Sequence, residues 1–328
     1  MAASQEDSDA RRPRLQDLLE AIESGNHKSA TKDGPKLLSI FGREVEKGWQ
    51  LTLPISALQH LPGAVVGPVG IVSQDSIDAF GHRLPKDRPI HDQSFSFGSG
   101  QSLNNRVIGD ELTPCRYGFA LLRFLHKIAA LRAIYPAARI LLSKFDFKSA
   151  YRRVHFRAES ALQSCITTKG LGGLDLALIS LRTTFGGSPC PSIFSEISET
   201  VTDLTNAIIR CSDYDPASFP SHYSHLLGPA KVEPDDVPLA AALPLMVDPE
   251  ADEFGTADVF LDDIFSAIPQ LDGDSPGDRG AQAALLALDV LGQPLLPDGG
   301  ESLPRDEVLA IDKAIAEGTP AERLIVLG

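Results

Sequence analysis

The run Ala257-Asp258-Val259-Phe260-Leu261-Asp262-Asp263-Ile264-Phe265-Ser266-Ala267-Ile268 limits what this chain can become more than any other stretch. Phe, Val and Ile suit a half-buried pleated surface, so the run reads as strand. Two adjacent carboxylates at its centre read instead as the tip of a tight hairpin. Burying them side by side is costly unless a positive charge offsets them, and a divalent metal ion is the usual source. An ordinary solvated Asp-Asp turn satisfies the same pattern, so the choice rests on the remainder of the chain.

Residues 139–156, Arg-Ile-Leu-Leu-Ser-Lys-Phe-Asp-Phe-Lys-Ser-Ala-Tyr-Arg-Arg-Val-His-Phe, form a second apolar strand that delivers Asp146 at its end and then turns. Asp146 and Asp262 lie 116 positions apart, so only a folded sheet brings them together. Hard oxygen ligands of this kind suit magnesium bound along with substrate phosphates.

The chain has 328 residues, 43% of them hydrophobic, enough for one large or two ordinary domains. Cys115, Cys165, Cys190 and Cys211 are too widely spaced for a disulfide framework or a zinc site, which predicts a reducing, intracellular setting. Met1–Arg14 carries no secretory signal, and the uncharged run 50–74 is broken by Pro54, Pro62 and Pro68, so no membrane span is expected. The net charge of −14 is uneven: residues 1–200 hold 24 Lys and Arg against 20 Asp and Glu, and residues 201–328 hold 6 against 24. Lys144, Lys148, Arg152, Arg153 and Arg157 cluster near Asp146, as a path for phosphates or as a solvated face.

Residues 1–50 read as a polar helical leader, with Leu15, Leu18, Leu19 and Ile22 at helical spacing. Prolines break 51–74 into short extended pieces. Lys86 and Arg88, two apart on an extended segment, point to one side and suit a triphosphate; a flexible Ser96–Asn104 follows. Tyr117–Tyr135 reads as a helix with Leu121, Leu122, Leu125, Ile128 and Ala129 on one side, backing the Asp146 strand. Strands at 163–168 and 174–183 meet at the glycines of 170–173. Gly186 and Gly187 precede a helix, capped by Ser188, with Ile193, Phe194, Ile197, Val201, Leu204 and Ile208 on one face. Those glycines let a ligand approach closely or simply form a strand-to-helix turn.

Residues 211–256 read as an acidic, Pro-rich insertion looping out, whose His222 and His225 lack a third metal ligand. Helices at 280–291 and 305–317, joined by a Pro/Gly/Asp linker, and a strand at 322–328 complete the chain.

The order of these pieces carries more than any one of them. Lys86-x-Arg88 with Asp92 following, a strand ending in Asp146 with Tyr151 five later, Phe185-Gly186-Gly187-Ser188-Pro189 before a long helix, and Phe260-x-Asp262-Asp263 on a hairpin succeed one another. That order resembles the fingers and palm of retroelement reverse transcriptases, over about residues 80–328, and the wording of 91–95 and 102–104 is most similar to the tyrosine-recombinase class.

The resemblance implies an α+β right-hand polymerase fold, with an antiparallel palm sheet and helices on one face. It divides the chain into the 1–50 leader, a 51–135 fingers-like region, palm at 136–210, the 211–256 insertion, and 257–328 holding the Asp-Asp hairpin and the start of a primer-grip strand, truncated before a thumb. It implies an RNA-directed DNA polymerase, a nucleotidyltransferase working on an RNA or DNA template with primer and deoxynucleoside triphosphates. Asp146 and Asp262 would hold two Mg2+ ions, for which Mn2+ can substitute, with Asp263 as the less direct neighbour. Lys86 and Arg88 would contact the triphosphate, Tyr151 would exclude a 2′-hydroxyl, and Gly186 and Gly187 would admit the template pair. Lys313 is the sole candidate for a later lysine that the family places at pyrophosphate. Two alternatives stay open: a catalytically inactive relic or nucleic-acid-binding palm protein, and an RNA-directed RNA polymerase, which Tyr151 disfavours.

Overall fold

The computed structural model describes residues 15–96, 102–234, 254–271, 279–292 and 307–325. Its strands are β1 (Gln50–Pro54), β2 (Val69–Ile77), β3 (Arg83–His91), β4 (Arg139–Asp146), β5 (Cys165–Thr167), β6 (Leu176–Ser180), β7 (Thr256–Phe260) and β8 (Asp263–Gln270). Its α-helices are α1 (Leu15–Ser24), α2 (Lys28–Lys32), α3 (Gly34–Glu46), α4 (Ala120–Ile134), α5 (Ala158–Leu162), α6 (Cys190–Arg210), α7 (Arg279–Gly292) and α8 (Ile311–Glu317). The fold is α+β with antiparallel sheets, and the chain divides into two compact units.

The first unit takes Met1–Asp75, Pro85–Pro114 and Ala150–Phe194. Its three-stranded sheet has the order β1-β6-β5, and Gly170 and Gly172 take positive φ (77° and 89°) in the expected β5–β6 hairpin. The N-terminal helices are part of this core. Leu18 and Ala21 pack with Leu58, Val66, Cys165 and Ile179, and Leu37 and Phe41 pack with Val69, Ile166 and Leu178. The apolar stripe expected on α1 is therefore rotated: small Ala21 lets the helix approach the sheet, and Leu15 and Leu19 face solvent. Helix α6 begins at Cys190, two residues beyond Ser188, whose backbone N–H instead donates to Asn104 Oδ1 (2.8 Å).

The second unit takes Ser76–Leu84, Cys115–Ser149 and Ser195–Gly328. Its sheet has the order β4-β8-β7, antiparallel throughout, with Asp146 opposite Asp263, Lys144 opposite Phe265 and Leu142 opposite Ala267. Alternation puts these residues on one face and Phe145, Ser143, Ile264, Ser266 and Ile268 on the other. Helices cover both faces, not one as expected. On the first, Phe124 and Leu131 of α4 pack on Ile140, Phe265 and Ala267. On the second, Gly280 of α7 lies so close to Ile268 and Ser266 Oγ that a side chain there would overlap both. The cause is β8, which is apolar on both sides and needs two covers. In α4 the buried residues are Ala120, Phe124, Ala130 and Leu131, while Leu121, Leu122 and Leu125, expected inside, are exposed. Leu204 of α6 is exposed as well.

Residues 221–224 do not loop out. Tyr223 is fully buried, its hydroxyl donates to Glu307 (2.6 Å), and Ser221 Oγ donates to the Leu285 carbonyl (3.0 Å). Helix α8 is shorter than expected because Leu309 pairs with Phe147 as extended chain before the helix begins. Residues 322–325 carry no strand, although Ala321 bridges Leu142. The first fourteen residues, most of the Ser96–Asn104 stretch, 235–253 of the insertion, the linker after α7 and residues 326–328 lie outside the described residues. All four cysteines are free. Among the described residues no helix is long and apolar enough to cross a membrane.

Candidate functional site

The charged end of the second unit's sheet is assembled from three separated segments. Strand β4 is buried along most of its length and brings Lys144 and Asp146 out on the same face. The β7–β8 hairpin closes through a two-residue turn, Leu261-Asp262, with Leu261 at φ 56°. The Asp-Asp pair is thus split: Asp262 is in the turn and Asp263 is the first residue of β8. The register sets Asp263, not Asp262, across from Asp146. Asp262 remains close, its carbonyl accepting from the Phe147 N–H (2.9 Å).

Helix α8 supplies the third segment. The Ala310 N–H donates to the Asp146 carbonyl (2.9 Å) and seats the helix on β4. From there Lys313 ion-pairs with Asp146, and Glu317, one turn later, lies 3.4 Å from Lys144 Nζ. Lys144 is only 9% exposed, as is Asp146, so these charges are largely withdrawn from water. Lys144 also stands 3.8 Å from Asp263 Oδ1, too far for a hydrogen bond, and that buried oxygen has no hydrogen-bond partner. Burial, reinforced by Asp146 and Asp262, pushes the Asp263 carboxyl up to about 7 against the pull of Lys144 and Lys313. Burial also works against charge on Lys313, but Asp146, backed by Asp263 and Asp262, outweighs it and holds the ammonium above the ordinary lysine range.

Among the described residues no group of three or more His, Cys, Asp or Glu is arranged to hold a metal ion. The donor set nevertheless suits a hard cation: the unpartnered Asp263 oxygen is a carboxylate atom shielded from water beside two further carboxylates. The cationic demand at Asp146 is met by Lys313.

The remaining residues singled out in the sequence belong to the first unit. Lys86 and Arg88 lie on β3, Lys86 exposed and Arg88 half-buried with its guanidinium 5.7 Å from the centre of the Phe185 ring. Tyr151 packs edge-on against Phe185 (5.0 Å between ring centres) and Phe194 (5.9 Å). Phe185 therefore touches both Arg88 and Tyr151. Gly186, at φ 109°, passes so close to His91 that an added Cβ would overlap its carbonyl oxygen, and one on Gly187 would stand 2.8 Å from Gln93 Oε1 and Cys190 Sγ. Both glycines thus have a packing reason within the chain itself. Asp92 accepts from Ser94 N–H (3.1 Å) and pairs with His27 (3.0 Å), anchoring the end of β3.

Two members of the basic run already meet carboxylates of the chain. Lys144 is turned inward to Asp263 and Glu317, and Arg152 is buried against Glu44 (2.8 Å to each carboxylate oxygen). Sequence reasoning missed Lys144 and Glu317 as members of the carboxylate cluster. The signal for Lys144 was its position two before Asp146; that for Glu317 was its spacing of four from Lys313.

No family model and no curated protein matches this chain. Among solved structures it is similar to the Prototype Foamy Virus protease-reverse transcriptase, at 12% identity and a TM-score of 0.40 over 81% of this chain. The chain spans 23% of the length of that protein.

Proposed function

We propose that the carboxylate cluster of the second unit is the centre of a nucleotidyltransferase that extends a primer on an RNA template with deoxynucleotides. The observation that carries this reading is the register of Asp146 against Asp263, which brings acids from distant segments to the open end of a packed sheet. The motif order in the sequence supports the same reading.

In this reading Asp146 and Asp263 supply facing carboxylates and Asp262 a third from the turn. When bound, two Mg2+ or Mn2+ ions would make a primer 3′-hydroxyl more acidic and neutralise the leaving pyrophosphate. The protein's part is placement: a packed sheet holds the acids, and much of the hydration they must give up is already gone before substrate arrives. Lys86 and Arg88 are assigned to the triphosphate, Tyr151 to exclusion of a 2′-hydroxyl, and Gly186 and Gly187 to the template pair; each rests on motif position.

The test is primer extension on an RNA template with Mg2+ and deoxynucleotides, using this chain and its Asp146→Asn and Asp263→Asn variants. Extension lost by at least about a hundredfold in both, with unchanged circular dichroism, supports the proposal; extension retained in either defeats it. Tyr151→Ala then checks the sugar assignment, because unchanged nucleotide choice removes the steric role. A second reading, a palm-type protein that binds primer-template without extending it, is favoured by Lys313 already occupying Asp146, and it predicts a mobility shift with no extension.

A further inference from the structure

We propose that Lys313 is the resident cation of the carboxylate cluster, an ammonium group that holds Asp146 until a divalent ion takes its place. The inference rests on the metal-site reading above and adds a competitor built into the chain.

Helix α8 is fastened to β4 independently of its charges. Ala314 is fully buried, the Ala310 N–H is bound to the Asp146 carbonyl, and an added Cβ on Gly318 would stand 2.6 Å from the Phe145 ring. The seat holds Lys313 on Asp146 and sets Glu317 3.4 Å from Lys144. Lys144 is thus shared between Glu317 and Asp263, nearer to the former, and Asp263 keeps an oxygen with no hydrogen-bond partner. An ammonium and a divalent ion on one carboxylate repel each other strongly where water is excluded. The two therefore compete for Asp146. Lys313 is 28% exposed, so its side chain has a route outward to solvent.

The same network gives two substitutions opposite effects. Lys313→Met removes the competitor, and Mn2+ binds about tenfold tighter. Glu317→Gln releases Lys144 toward Asp263, and Mn2+ binds several-fold more weakly. Without metal, Lys313→Met also lowers the melting temperature because Asp146 loses its partner, and Mn2+ restores more of that loss than it adds to the parent protein.

The experiment is calorimetric titration of Mn2+ alone into the full chain and its variants, with thermal melts in chelator and in Mn2+. Lys313→Gln, which keeps a polar tip on the same helix, stands in if the Met variant does not purify. Tighter binding in the Lys313 variants with weaker binding in Glu317→Gln is the expected result. Unchanged or weaker binding in the Lys313 variants overturns the displacement role alone, provided Asp146→Asn abolishes binding. Binding by Asp146→Asn equal to the parent's overturns the metal-site reading and this inference together.

Discussion

Asp146 faces Asp263 across the β4–β8 pair, while Asp262, its partner in the sequence motif, occupies the turn. A single residue of register therefore decides which of two adjacent acids shares a sheet face with Asp146. Asp263 is also the acid whose buried Oδ1 has no hydrogen-bond partner.

The raised Asp263 carboxyl makes stability depend on pH. Its folded pKa, about 7, lies above the ordinary aspartate value of 3.8, so the folded state holds the proton more tightly than the unfolded chain. The associated stability is fully present below pH 4 and is lost as pH rises through 7. The loss is on the order of a few kcal/mol. Urea titrations across pH 4 to 8 should show Asp263→Asn gaining on the parent protein as pH rises; a constant difference would mean that Asp263 is not the group responsible.

Two non-glycine residues near the carboxylates, Ser149 and Leu261, take φ of 56°. Ser149 is solvent-exposed, so glycine there relieves strain without loss of packing. Ser149→Gly is expected to stabilise the protein by roughly 0.5–1 kcal/mol, since relief of left-handed strain exceeds the extra unfolded-state entropy. The shift in urea midpoint at constant slope measures it.

Gly186 and Gly187 should respond differently to alanine. At Gly186 both the φ of 109° and the His91 carbonyl oppose a Cβ, and neither can yield cheaply. Gly186→Ala should cost about 2–4 kcal/mol. At Gly187 the obstacles are the side chains of Gln93 and Cys190, which can move, so the loss should be smaller. Equal losses in chemical denaturation would refute this account of the close approach.

The inward face of α4 can be tested directly. Phe124 is 1% exposed against Phe265 (4.6 Å between ring centres), and Phe124→Ala should cost about 3–5 kcal/mol. Leu122, 65% exposed, should tolerate serine within about 0.5 kcal/mol. A reversed order would restore the face read from spacing.

That helix shows where the sequence was legible and where it was not. Ala-Leu-Leu-Arg-Phe-Leu-His-Lys-Ile-Ala-Ala-Leu-Arg-Ala-Ile has apolar residues on more than one side, so periodicity announces a helix without choosing its buried stripe. The β5–β6 hairpin, the Asp146 strand and α6 were readable because alternation, glycine turns and a long 3.6-residue period mark them locally. The Asp262-Asp263 hairpin was placed within one residue, its exact tip being a matter of pairing with β4. In the sequence Lys313 stands out as a lone late lysine, matched to the pyrophosphate position by resemblance alone, and Lys144 as one of a basic run. Their ion pairs depend on a seven-residue helix meeting β4 from more than 160 positions away, which no local pattern encodes.

Behind the acids, Ser143 and Ser266 meet hydroxyl to hydroxyl at 2.6 Å, both buried, on the opposite face of the same two strands. Sliding β8 by two residues would retain the apolar alternation yet set each hydroxyl against a greasy neighbour with nothing to bind. This small pair works as an index mark for the sheet. The carboxylates on one side of the strands are held in alignment by two hydroxyls on the other, and a Ser143→Val, Ser266→Val double change would leave the core filled but the alignment unmarked.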